Sequence, residues 1–133
     1  PDARTVAAMQ AALDDERLAQ ATYAQVMRRF GAVRPFVNIV RAEARHEAML
    51  LDLFRKYRLE VPANGYAKAP PKAPDTLGGA FRAAVRAEEE NIALYDGFLK
   101  FVKEPDIRTV FQRLQAASRE NHLPAFRRGA GRP

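Results

Sequence analysis

Residues 36–57 read FVNIVRAEARHEAMLLDLFRKY, and this stretch decides the fold. Phe36, Ile39, Glu43, His46, Leu50, Leu53 and Tyr57 recur in alternating steps of three and four, so all seven share one face of an α-helix. Five of the seven are apolar or aromatic and mark that face for a core. Glu43 and His46 interrupt it at its middle. A carboxylate buried in a core is costly unless it is paired or holds a metal. Glu and His at i and i+3 project inward side by side, the arrangement by which helix bundles hold metal ions.

Two further stretches show the same intrusion. Met9, Ala12, Glu16, Ala19, Tyr23, Val26 and Phe30 form one seam, with Glu16 its only charged member. Phe81, Val85, Glu88, Ile92, Tyr95, Leu99 and Val102 form another, with Glu88 alone charged. A fourth seam is less regular: Ile107, Phe111, Leu114, Ser118, Asn121 and Ala125, with His122 beside it.

These seams predict an all-α domain over residues 1–127 with helices at about 3–30, 35–58, 76–103 and 106–126, and a flexible tail over 128–133. Gly31 suits a left-handed cap, Pro35 a first helical turn, and Asp75 or Thr76 an N-cap. Residues 59–75 hold Pro62, Pro70, Pro71, Pro74 and an Asn64–Gly65 turn signal, and read as a long connection. Seventeen residues at ~3.3 Å each reach past 50 Å, whereas a helix of about 22 residues is only ~33 Å long. The connection can therefore cross the whole bundle, giving an up, down, down, up course with one crossover. An up-and-down bundle with a floppy loop is the competing layout.

Composition bounds the function. At 133 residues and 47% hydrophobic the chain suits one domain, and no apolar run approaches the ~20 residues a membrane span needs. No cysteine is present, which removes disulfides, thiolate metal sites and cysteine catalysis. The net charge of +6 is spread along all helices, as on a solvated basic surface rather than a nucleic-acid face. Pro1 stands where an initiator Met would be, as expected of a trimmed or processed chain; cytoplasm and periplasm both stay open, the latter if a signal peptide was removed. A homodimer is compatible with base rates alone, and the sequence leaves oligomer size open.

Position along the bundle brings the intruders together. Glu88 lies 15 residues before Lys103 and His122 lies 16 after Asp106, so a short hairpin sets them at similar height. Glu16 lies 14 residues before Phe30, and Glu43 and His46 lie 8 and 11 after Pro35, within one or two turns of each other. Three carboxylates and two imidazoles can converge as ligands. Oxygen and nitrogen donors without thiolate suit iron or manganese, with zinc or copper also open.

With these residues in order, the chain resembles the ferritin-like di-iron carboxylate superfamily. Within it, the chain is similar to the bacterial domain of unknown function 2202. The resembling pieces are Asp15–Ala19 with Tyr23, Phe36–Ile39 leading to Glu43 and His46, Glu88–Ile92, Ser118–Leu123 and Ala125–Phe126. The resemblance implies a four-helix bundle and a dinuclear iron site, in a superfamily whose members store iron, reduce peroxide or activate oxygen. One departure stands out. The superfamily pattern places a second Glu three residues before the last His, and that position is Arg119 here. The fourth carboxylate is then missing, or comes from Glu47 or Glu89.

Each candidate also has a plain structural reading. Glu16 could pair with a neighbouring arginine, Glu88 could belong to a solvated run of three glutamates, and His122 could favour a helix C-terminus. Tyr23 and Tyr95, one heptad past Glu16 and Glu88, default to core packing; the alternative is a hydrogen bond to a ligating carboxylate. Three functions are open: an iron oxidoreductase acting on oxygen or peroxide, a metal store or buffer without turnover, and a metal-free interaction bundle.

Overall fold

Asp2 starts the first helix: its carboxylate accepts the Thr5 N–H at 2.8 Å, satisfying an otherwise free donor of the opening turn. In the computed structural model, which describes residues 1–131, helix α1 spans Ala3–Phe30. It ends at Gly31, whose φ of 91° and ψ of −174° fall in a region essentially confined to glycine rather than in the expected left-handed helical well. Helix α2 spans Phe36–Lys56 and α3 spans Leu77–Leu99, capped by Thr76, whose Oγ1 accepts the Gly79 N–H at 2.9 Å. Helix α3 stops four residues short of the expected end. Arg108 explains this, because its Nη1 donates to the carbonyls of Leu99 at 2.7 Å and Val102 at 2.8 Å. Helix α4 (Pro105–Ala117), a π-helical turn (Ser118–His122) and α5 (Leu123–Ala130) continue without a break and form the fourth column of the bundle.

The fourth column outruns the expected end at 126 by four residues. Gly129 allows this: a Cβ there would sit 2.0 Å from the Phe81 ring, so only glycine lets α5 close on α3. The tail expected from residue 128 is therefore helical through Ala130, and residues 132–133 lie outside the described residues.

Side-chain pairs fix the topology. Tyr23 of α1 reaches Glu88 of α3, and Tyr95 of α3 reaches Glu16 of α1, so the two helices are antiparallel. The short turn after α1 makes α2 antiparallel to it, hence parallel to α3. Residues 57–76 must then travel the bundle's length, which rules out the up-and-down layout. They do so along α1, held by Arg17 donating to the Pro62 carbonyl at 2.7 Å and by the Tyr66 hydroxyl donating to Asp14 at 3.0 Å. At one end Tyr57 donates to Asp106 at 2.7 Å, joining the end of α2 to the start of α4. The all-α four-helix bundle with a long crossover between the second and third helices is thus the observed fold. Among the described residues no helix is long and apolar enough to cross a membrane.

The apolar core is split in two. One cluster packs Met9, Leu13, Leu50, Phe54, Tyr95, Phe111 and Leu114. The other packs Tyr23, Val26, Phe36, Ile39, Phe81 and Phe126, with the Phe36 and Phe126 ring centroids 5.0 Å apart. Between them lies a polar layer.

Candidate metal centre

That layer contains all five side chains expected as ligands. Glu16, Glu43 and Glu88 are each 2% exposed and His122 is 4% exposed; His46 is slightly more open. Glu16 comes from α1, Glu43 and His46 from one face of α2, Glu88 from α3, and His122 from the π-helical turn. Candidate donor atoms form two groups, Glu16–Glu43–His46 and Glu43–Glu88–His122, each with its atoms within 4.8 Å of one another. Glu43 belongs to both. Its Oε2 faces His46 Nδ1 at 3.5 Å, and its Oε1 faces His122 Nδ1 at 3.2 Å. Glu16 Oε2 lies 3.6 Å from His46 Nδ1, and Glu88 Oε1 lies 3.1 Å from His122 Nδ1. The two imidazoles stack at 5.7 Å.

The tyrosines complete a near-symmetric pair of half-sites. Each hydrogen-bonds the carboxylate of the opposite helix rather than of its own: Tyr23 donates to Glu88 at 2.6 Å and Tyr95 to Glu16 at 2.7 Å. The antiparallel course of α1 and α3 causes this exchange, because seven residues along one helix returns to the level of the other's glutamate. Each hydroxyl fixes one carboxylate oxygen and leaves the other facing a histidine. We expect Tyr95→Phe to weaken metal binding about 10- to 100-fold, the usual effect of removing such a supporting hydrogen bond. A competitive chelator titration checks this; unchanged affinity would reduce Tyr95 to a packing residue.

The fourth column departs from its seam in one place. The π-helical turn adds a residue to the turn, so positions beyond it lag behind a regular helix. Asn121, expected on the seam, is exposed, while His122 swings into the core. Pro124 gives a physical reason: its ring cannot donate to the carbonyl of Glu120 and would clash with it, and a widened turn relieves both. Arg119 is exposed, 3.9 Å from Asp96. Ser118 faces inward in its place and donates to Asn91 at 2.7 Å. Neither expected substitute supplies the fourth carboxylate. Glu47 is held by Arg17 at 2.6 Å and Gln20 at 3.0 Å, and Glu89 is exposed near Arg127. Sequence reasoning missed Arg17 as a buried partner of Glu47, and it missed Asn91, whose amide donates to Asp15 at 2.5 Å and lies 3.5 Å from Glu16.

Electrostatics reflect the burial of these groups together. Burial pushes the Glu16 carboxyl up to about 8, and the Glu43 charge beside it adds to the shift. Burial alone would lower both histidines, but the facing carboxylates outweigh it and hold each at about 9. Burial would likewise raise Glu43, yet the Glu16 carboxyl and the two imidazoles that face it hold it below its usual range. Burial and the adjacent glutamates push both tyrosines well above the ordinary phenol range, so they remain neutral donors.

Two atoms of the layer stand out. Glu43 Oε2 and His46 Nδ1 are buried with no hydrogen-bond partner. They face each other at 3.5 Å without a hydrogen bond, so only their charges offset the cost of burying both in a bare bundle. A cation between them would satisfy both. The residues therefore fit a metal, and these buried Glu and His groups could hold one.

The chain is similar in fold to a solved structure, hypothetical protein MJ0754 from Methanococcus jannaschii, at 22% identity and a TM-score of 0.86, covering 98% of this chain and 81% of that one. At that identity the likeness shows the fold. No curated protein matches the chain. Residues 5–132 match the family described as an uncharacterized protein domain, DUF2202. A match over nearly the whole sequence places the chain as a member of the DUF2202 family.

Proposed function

We propose that this protein is a dinuclear metal carboxylate protein, with iron its ion and oxygen or peroxide its small-molecule substrate. Glu16, Glu43 and His46 would hold one ion and Glu43, Glu88 and His122 the other, with Glu43 shared. The observation that carries the reading is the pair of buried unpartnered atoms, Glu43 Oε2 and His46 Nδ1, inside two donor groups that meet at one carboxylate. Oxygen and nitrogen donors without sulfur favour iron or manganese, and zinc fits the same set. Iron held here would supply redox chemistry toward oxygen or peroxide. The chain's own part is to seat the two half-sites between the aromatic clusters, and to fix Glu16 and Glu88 through Tyr95 and Tyr23.

Storage without turnover uses the same ligands and differs only in the fate of the loaded ion. The test is metal content per chain after anaerobic iron(II) loading and desalting, then an absorbance spectrum on admitting air. Two irons per chain and a changed near-ultraviolet spectrum support the oxidoreductase reading. Two irons with an unchanged spectrum favour storage. One iron removes the dinuclear site, and none leaves the metal-free bundle.

A further inference from the structure

An acidic approach leads to the site. A cleft of about 100 Å³ opens between α1 and α3. Glu43 and Glu88 line it, Ala83 and Ala87 form part of its wall, and Asp15 and Glu90 add two more carboxylates. Glu43 is 2% exposed, and its Oε2 has no hydrogen-bond partner. Asp15 is partly buried and Glu90 is exposed, and among the described residues neither joins an ion pair. On the other side of α1, the groove beside the crossover is lined by Arg17 and Arg28. The chain as a whole carries +6. On a chain of net positive charge, the α1–α3 cleft gathers four carboxylates, a local environment that attracts a cation. The cleft is roomy enough for water, and so for a partly hydrated ion.

Asp15 lies deeper than the exposed Glu90 and is tied to the polar layer. The Asn91 amide donates to Asp15 Oδ2 at 2.5 Å, and the same nitrogen lies 3.5 Å from Glu16 Oε1. Ser118 in turn donates to Asn91 Oδ1 at 2.7 Å, fixing the amide's orientation. One side chain thus bridges Asp15 to a carboxylate of the polar layer. We propose that divalent cations reach the Glu43–Glu88 pair through the α1–α3 cleft, with Asp15 as a transit ligand. This route rests on the proposed metal-binding role of the polar layer and adds a residue that role does not use.

The test measures the rate of cobalt(II) uptake by the full chain, read from the visible absorbance of the bound ion in a stopped-flow instrument. Asp15→Asn keeps an acceptor for Asn91 but removes the charge, and Ala87→Leu narrows the cleft without touching a carboxylate. Both variants should reach the wild-type plateau, with Asp15→Asn loading about tenfold slower at low salt, the lower end of electrostatic focusing. Ala87→Leu should also load more slowly, with less salt dependence. An unchanged thermal midpoint in each variant separates a blocked route from a damaged fold. Wild-type rates in both variants overturn the route and leave the metal reading intact. A lowered plateau in Asp15→Asn makes Asp15 a resident ligand and overturns the transit role. A wild-type chain that takes up no cobalt overturns the metal reading, and the route with it.

Discussion

On the dinuclear reading, replacing Glu43 with alanine is expected to lower bound metal from two ions per chain to none. The shared position of Glu43 gives the reason. Each donor group holds three side chains, and Glu43 is the one they have in common. Its removal leaves Glu16 with His46 on one side and Glu88 with His122 on the other, two donors apiece. Glu16→Ala and His122→Ala each strip only one group and should leave one ion. Glu43→Gln separates ligation from packing, because it keeps the side-chain shape and removes the charge; it should also lose both ions. Elemental analysis after loading and desalting reads all four variants, and a far-ultraviolet spectrum confirms that each remains helical. Two ions retained by Glu43→Ala would mean that the ligands lie elsewhere. One ion retained would mean that the half-sites are independent and Glu43 serves only one of them.

The contrast between Glu43 and Asn121 shows how far the sequence could be read. Glu16, Glu43, His46 and Glu88 lie on regular helices, where steps of three and four report the buried face directly, and all four are found in the polar layer. His122 lies in a π-helical turn, where that arithmetic fails by one residue. The regular seam selected Asn121 and left His122 at its edge; Pro124, two residues on, was the available signal. The crossover was legible from its length and prolines, because reach depends on chain geometry alone. Pairings that join distant residues were not legible. Nothing local says that Arg17 captures Glu47 thirty residues away, or that Tyr23 serves Glu88 rather than Glu16. Those partners depend on which helices touch and in what direction, and a single seam carries no such information. The early end of α3 has the same origin, since Arg108 reaches back from α4 to close it.

Acidity should drive the metal-free and metal-bound proteins in opposite directions. Glu16 moves from about 4.5 to about 8 on folding, and His46 and His122 each move from about 6.5 to about 9. A group whose pKa rises on folding holds, in the folded chain, a proton that the unfolded chain has already released. Stability then falls as pH rises between the two values. For Glu16 that window runs from about 4.5 to 8, and for the histidines from about 6.5 to 9. Glu43 shifts the other way, so its contribution changes only in acid, as pH falls through its ordinary value of 4.5 and below. The metal-free thermal midpoint should therefore drop between pH 6 and pH 8.5. Metal must displace these same protons, so its affinity climbs over the same range. With one proton released per ion, affinity rises about tenfold per pH unit, or about 1.4 kcal/mol. In a domain of this size a gain of that order moves the midpoint by several degrees. Scanning calorimetry with and without manganese(II) at the two pH values measures both effects. The stabilisation by metal should be small at pH 6 and larger by on the order of 5–10 °C at pH 8.5. A metal-free midpoint that stays flat across this range would show that the carboxylates and imidazoles do not share protons as their packing requires. A manganese shift that shrinks with rising pH would place the bound ion away from His46 and His122.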